Sequence, residues 1–425
     1  MKKLFALLTV CLLLCPAFPV KAATKLEVRS EYVYIEDTGI GQVLYEKNAD
    51  VPMYPASLTK MMSVILAIEN IPNTGEIITI TEEMLSGLAE ANASVVGYDV
   101  GDEVRVIDLL YGSLLSSGAD CINALAFRTS GSIDAFVELM NQKAQDLGME
   151  STHFCNPTGL HEPDHVSTAR DMALLLRYCR SNALFKTILA ADNYISDPVA
   201  SNEGGFYMRS WFRDEMSAYR EIEGYEGGKT GYTSYAGYCL ASSASRNGMQ
   251  LLAIVCDSPS FEGRDALYQE VYTLYNYFFD NYERQTLMTQ GEHVGSVRVI
   301  DGAADQTLEF YALNTFTTDL RKDSLTVENT LPSEIYAPAK LGDTVGSIKY
   351  YSDGELIYQE DYRLLEDIKL DKFGKFSRQV GQFFGHADPF EARAKAPVYL
   401  TVILVLLLAT IPLSQLIFGG RKKKQ

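Results

Sequence analysis

Tryptophan occurs once and histidine only five times in these 425 residues, and basic residues are outnumbered by acidic ones, 37 to 55. The shortage of positive charge excludes a basic nucleic-acid-binding surface. Seven of the basic residues, Lys2, Lys3, Lys21 and Arg421 to Lys424, lie at the two ends, so the body between them is more acidic than the net −18. The histidines hold one metal-like pattern, His161-Glu162-Pro163-Asp164-His165. A zinc peptidase needs both histidines on one helix, but Pro163 pushes Glu162 toward an extended backbone. No metal and no cofactor is expected. A G-x-S-x-G elbow is also missing, which excludes the usual α/β-hydrolase nucleophile turn. Of seven cysteines, Cys11 and Cys15 fall in the first 15 residues. The other five, Cys121, Cys155, Cys179, Cys239 and Cys256, are odd in number and scattered. They do not make a disulfide scaffold and are expected to pack mostly as small buried hydrophobes.

Charge is absent from residues 397–418, which run from Pro397 to Phe418. That length crosses a bilayer as a helix. The basic cluster that follows (residues 419–425) places the tail inside and the body outside. Residues 1–22 carry a charged start, a short apolar core and a Val20-Lys21-Ala22 end, the pattern of an export signal. The two ends agree on a single-pass cell-membrane protein with its body extracellular.

Between them, residues 26–47 alternate as two strands around Asp37-Thr38-Gly39. A helix is predicted to start near Ser57 and run through Val64-Ile65-Leu66. Helical periodicity covers 107–127, 132–147 and 168–180, Met249 to Cys256 reads as a buried strand, and a helix follows from about Gly263 to Tyr282. Residues 24–285 thus form one α/β-type (α+β) domain. From 286 to 368, runs such as Val294–Ile300, Thr307–Leu313, Val345–Tyr351 and Glu355–Tyr362 predict a small all-β domain. In 369–396, Phe373, Phe376, Val380, Phe383 and Phe384 recur at helical spacing beside Lys372, Lys375 and Arg378, as in an amphipathic juxtamembrane helix.

Three short motifs carry chemistry. Ser57-Leu58-Thr59-Lys60 places a hydroxyl and an ammonium on one helix face. Serine is a weak nucleophile until a base takes its proton. Lysine is such a base only where its surroundings depress its pKa. Alone the pattern is uninformative, since Ser-x-x-Lys occurs roughly once by chance in a chain this long. The second motif is Lys229-Thr230-Gly231, leading into Tyr232-Thr233 and then a strand. Gly231 lets a substrate backbone lie close, while Lys229 and Thr230 offer charge and a hydroxyl to a carboxylate. The third is Ser117-Gly118, between helices. Their order is the signature of penicillin-binding proteins and class A β-lactamases.

The chain resembles the low-molecular-mass penicillin-binding proteins that are serine D-alanyl-D-alanine carboxypeptidases (peptidase S11-like). The resemblance covers about 30–280. It rests on Pro55-Ala56-Ser57-Leu58-Thr59-Lys60, Ser117-Gly118-Ala119-Asp120, Asn156-Pro157-Thr158-Gly159-Leu160, Ser167-Thr168-Ala169-Arg170-Asp171 and Gly228-Lys229-Thr230-Gly231. It implies a serine transpeptidase/β-lactamase-like catalytic fold, followed by the β domain and the membrane helix. It implies hydrolysis of the terminal D-alanine from peptidoglycan stem pentapeptides, with β-lactams as inhibitors. Ser57 would be the nucleophile, Lys60 its base, and Ser117 with Lys229 a second proton path. Thr230 and Arg264 would hold the terminal carboxylate, and the N–H groups of Ser57 and Tyr232 the oxyanion.

The sequence departs from the family twice. Ala119 stands where asparagine is usual, with Asn123, one turn on, as the candidate substitute. Tyr232 stands where histidine is common. A β-lactamase or D,D-endopeptidase on the same scaffold, and a decayed wall-binding protein, are the alternative readings. The first lacks a Ser-Asp-Asn element, and Ala119 is the only support for the last.

Overall fold

The computed structural model describes residues 26–259, 264–303 and 305–409. The expected export segment 1–22 and residues 410–425, which hold the end of the expected membrane span and the basic tail, lie outside the described residues. The chain divides into two units. One holds Val43–Arg246 and Gln250–Phe278 with the described residues up to Glu36. The other holds Asp37–Gln42, Asn247–Met249 and the described residues from Phe279 on.

The first unit is built around a sheet and a buried helix. Helix α1 (Lys60–Asn70) is apolar from Met61 to Ala67 except at Ser63, whose hydroxyl donates to the Pro157 carbonyl, and all of Lys60–Ala67 is buried. A helix without a polar face has to sit inside a core. The sheet has the order β2-β1-β5-β4-β3, with β1 Tyr32–Asp37, β2 Gln42–Lys47, β3 Tyr225–Thr233, β4 Gly237–Arg246 and β5 Met249–Ser258. Strand β5 is central, which explains its near-continuous apolar run. Strand β3, carrying Lys229-Thr230-Gly231, is at the edge, with one row of backbone groups unpaired in the sheet.

The helical stretch expected over 107–127 is two helices, α2 (Val106–Leu115) and α3 (Ala119–Ser130). The break falls at Ser117, whose φ of 59° no helix accommodates. Helices α4 (Ile133–Asp146) and α5 (Ala169–Ser181) start where the sequence places them. Ser132 and Thr168 cap them by accepting from the Ala135 and Asp171 N–H groups. Helix α6 (Ala183–Ala190) and the short α7 (Trp211–Tyr219) follow. The helix expected over Gly263–Tyr282 is α8 (Arg264–Asn281).

The second unit is β-rich. Strand β6 (Tyr282–Met288) pairs antiparallel with β9 (Phe316–Arg321). Strand β7 (His293–Ile300) lies between β8 (Gln306–Tyr311) and β11 (Glu334–Tyr336), and β12 (Thr344–Ser352) lies between β10 (Leu325–Asn329) and β13 (Glu355–Arg363). The 369–396 segment is a helix and the start of another, where the sequence suggests a single helix. Helix α9 (Lys372–Phe383) pairs with α10 (Pro389–Ala409), which continues through Pro397. By length and composition α10 is able to cross a membrane. Arg393 bonds Asp371 and the Gly302 carbonyl, and Arg378 binds both oxygens of Asp301, so the helix pair is tied to the β module. The phenylalanines 373, 376, 383 and 384 remain exposed.

At Gly381 a side chain would fall 1.9 Å from the Ala392 carbonyl oxygen, so α9 and α10 approach backbone to backbone there. Gly381→Ala is expected to separate them. Hydrogen exchange of α9 amides should rise to that of an unsupported helix. Unchanged protection would show that the contact does not hold the pair.

Candidate active site

Ser57 stands on a single 3-10 turn, Ala56–Thr59, that leads directly into α1. The turn aims its hydroxyl outward, half-buried, while Lys60 points back into the core with 3% exposure. Lys60 Nζ donates to Ser57 Oγ at 2.8 Å and to the Thr158 carbonyl at 2.6 Å. Burial brings its pKa down from the ordinary lysine value to about 7, against the opposing charge of Asp120. A neutral amine within hydrogen-bond reach of a serine hydroxyl is a general base in position.

The same arrangement recurs across the cleft. Lys229 is 1% exposed, and its Nζ donates to Ser117 Oγ at 3.1 Å and to the Thr230 carbonyl at 2.8 Å. Burial first, and then the nearby Lys60 charge, push its pKa well below the usual range. Gly231 lies where a Cβ would stand 3.1 Å from the Ser57 nitrogen. Only its missing side chain lets β3 pass so close to the nucleophile turn. A cavity of about 690 Å³ is lined by Ser57, Ser117, Thr230, Gly231, Tyr232 and Arg264, among others. The Arg264 guanidinium lies 4.2 Å from the centre of the Trp211 ring, a cation–π contact that makes Trp211 a wall of the cleft. Ser57, Lys60, Ser117, Lys229, Thr230, Gly231, Tyr232 and Arg264 therefore lie together around one cleft.

The third contributor was quoted in the sequence without a role. Asn156-Pro157-Thr158-Gly159 forms a tight turn whose Thr158 carbonyl takes the Lys60 proton donor. The Asn156 Oδ1 organises it, accepting from the Thr158 and Gly159 N–H groups and the Thr158 hydroxyl. At Gly159 (φ 79°) a Cβ would meet the Ala56 carbonyl oxygen at 1.9 Å. The turn signal Asn-Pro-x-Gly was legible, but its contact with the nucleophile turn was not.

A family model described as D-alanyl-D-alanine carboxypeptidase matches residues 19–260. A second, described as penicillin-binding protein 5, C-terminal domain, matches 282–370. The chain belongs to the D-alanyl-D-alanine carboxypeptidase family. It is 30% identical over 371 residues to D-alanyl-D-alanine carboxypeptidase DacA of Escherichia coli K12, covering 85% of this chain and 89% of that one. It is 28% identical over 358 residues to the carboxypeptidase DacF of Bacillus subtilis, covering 83% and 89%. Among solved structures it resembles penicillin-binding protein 5 of Haemophilus influenzae (28% identity, TM-score 0.58, 81% of this chain and 98% of that). It also resembles the carboxypeptidase DacD of Francisella tularensis (26%, TM-score 0.64, 82% and 96%).

Within this carboxypeptidase frame one expectation needs correcting. Asn123 does not replace the asparagine missing at 119. It is 8% exposed, and its amide donates to the Met84 carbonyl at 2.9 Å, away from the cleft. Four residues along α3 keeps nearly the same helix face but carries the side chain about 6 Å along the axis, against the Met84 carbonyl. Ala119 is buried at the helix start, its N–H bonded to the Ser94 carbonyl. Tyr232 is half exposed and stacks on Tyr238, 4.5 Å between ring centres. The His161–His165 segment is a loop. There His165 accepts from the Cys155 N–H on Nδ1, which leaves Nε2 to donate to Thr59 Oγ1 at 2.8 Å. Burial lowers its pKa to about 4, so it is a neutral prop beneath the nucleophile turn.

Since Lys60 is neutral only above its pKa, acylation of Ser57 by a β-lactam should fall about tenfold per pH unit below about 7 and level off above it. Stopped-flow labelling across pH checks this, and a flat profile would contradict it. Lys60→Arg, charged at every working pH, should cost about a thousandfold or more.

Proposed function

We propose that this protein removes the terminal D-alanine from peptidoglycan stem pentapeptides by acylation and deacylation at Ser57. The observation that carries this reading is the buried, carboxylate-free Lys60 amine 2.8 Å from Ser57 Oγ. Family membership supports the substrate class.

Lys60 takes the Ser57 proton as Oγ attacks the penultimate D-alanine carbonyl. The Ser57 and Tyr232 N–H groups receive the developing oxyanion. The carbon–nitrogen bond then breaks. A proton passes through Ser117, bonded to Lys229, to the amine of the departing D-alanine. Water hydrolyses the acyl-enzyme and restores Ser57. Thr230 and Arg264 hold the terminal carboxylate. The edge position of β3 supports extended pairing of the stem peptide alongside it.

Residues 24–285 serve catalysis in this reading and 286–368 form the all-β domain. Helix α10 and the uncharged residues to 418 anchor the protein to the cell membrane as a single span, with the catalytic domain outside. The exposed phenylalanines of α9 lie in the lipid interface beside it.

Incubation with penicillin should add one penicilloyl group to the intact protein and none to Ser57→Ala, read by mass spectrometry. D-Alanine release from a stem-pentapeptide mimic should fall about a thousandfold or more in the same variant. An adduct on both proteins, or on neither, would refute the assignment.

A further inference from the structure

Asp120 follows the Ser117 turn and is 1% exposed. No step of the mechanism uses it, yet it is among the most heavily bonded side chains in the molecule. Its Oδ1 accepts from the Val96 N–H at 3.0 Å and the Cys121 N–H at 2.9 Å. Its Oδ2 accepts from Val96, Gly97 and Tyr98 at 3.0, 2.9 and 3.4 Å. Every partner is a donor, so the group is the ionised carboxylate. Residues Ser94, Val95 and Val96 line the catalytic cavity beside Ser116 and Ser117. This cleft wall carries no strand or helix of its own. Its backbone is held by the Asp120 bonds and by the Ala119 N–H to the Ser94 carbonyl at 2.7 Å, while the Tyr98 ring packs into the core against Phe206. Gly118 closes the arrangement, since a Cβ there would stand 2.7 Å from Asp120 Oδ1 and 2.9 Å from Val96 Cγ2.

The charges nearby give the carboxylate a second role. Among the described residues, neither Lys60 nor Lys229 is hydrogen-bonded to a carboxylate. The titratable groups acting on Lys60 are Asp120 and Cys121 from α3, and Lys60 in turn acts on Lys229 of β3 and on His165 of the loop before α5. Burial holds the Cys121 thiol neutral and His165 uncharged at neutral pH. Asp120 is then the negative charge in this set. It opposes desolvation and keeps the Lys60 proton exchangeable near neutral pH instead of absent.

We infer that Asp120 is a positioning residue of this active site, clamping the Ser94–Tyr98 wall onto the Ser117 turn and supplying the counter-charge felt at Lys60. The inference rests on the reading of Lys60 as the base of acylation. It explains why a helix beginning with Ala119 still presents an ordered wall. The backbone of 94–98, fixed by Asp120, forms the side of the cleft where the family's asparagine is missing.

The test is the pH profile of β-lactam acylation for the wild type, Asp120→Asn and Asp120→Glu. Asparagine removes the charge and turns an N–H donor toward backbone donors. The midpoint of its acid limb should move to lower pH by about half a unit or more, and its plateau rate should fall about tenfold or more. Asp120→Glu keeps the charge and displaces the clamp, so its plateau should fall with the midpoint unmoved. A folded Asp120→Asn protein whose midpoint stays with the wild type overturns the proposal, whatever its melting temperature. Should that variant not fold, hydrogen exchange of the wild type decides. Slow exchange at the Val96, Gly97, Tyr98 and Cys121 amides supports the clamp, and exchange at open-loop rates overturns it. A wild type that is not acylated at all would remove the catalytic reading and this inference together.

Discussion

Two lysine side chains are held inside this protein without a carboxylate bonded to either. Moving an ammonium out of water costs several kcal/mol even after relaxation, and a protein meets that cost most cheaply by letting the proton go. Lys60 and Lys229 are placed so that this is what burial achieves. Their hydrogen-bond partners are hydroxyls and carbonyls: Ser57 and Thr158 for one, Ser117 and Thr230 for the other. A salt bridge in either place would hold the proton on and remove the base. The low dielectric that leaves the lysines neutral also strengthens the remaining charge effects around them.

Close approach of four backbone segments makes that burial possible, and it is paid for in strained residues. Ala56 and Ser117, the first just before the nucleophile, hold φ of 47° and 59°. Such conformations cost about 1 kcal/mol or more each and persist where surrounding contacts over-determine them. Gly159 against Ala56, and Gly231 against the Ser57 nitrogen, supply the missing volume. Helix α1 is the fixed element against which the nucleophile turn, the Asn156–Gly159 turn and strand β3 are set. Its first eight residues, Lys60–Ala67, are all buried in the core, and Ser63 ties it to the Pro157 carbonyl of the adjoining turn.

Much of this was legible from residue order. The hydroxyl–ammonium pair at 57 and 60, the Lys-Thr-Gly strand and the Ser-Gly turn are local patterns, and local patterns survive in one dimension. The long helices announced themselves by period and caps. Strands β6 and β9 to β11 were harder to see. They are short or polar-patterned, with burial set by a partner strand far away in sequence, as in the pairing of Tyr282 with Arg321. The α9–α10 pairing was hidden for a related reason. Periodicity shows that a helix has an apolar face, not whether it folds against a neighbour through a glycine.

The sequence by itself determined which hydroxyls and amines the motifs offer, and in what order along the chain. It determined the family too, since those motifs recur together over the length of a domain. What only the tertiary structure decided was which groups those amines face. Asn123 looked available one turn beyond Ala119, yet its amide is spent on Met84. Thr158 looked like part of a loop, yet its carbonyl receives Lys60. Asp120, to which the sequence assigns no role, gathers the backbone of residues 96–98. Spacing along a chain specifies what a side chain is able to do. Burial and direction, which arise only when distant segments pack, specify its partner and therefore its charge.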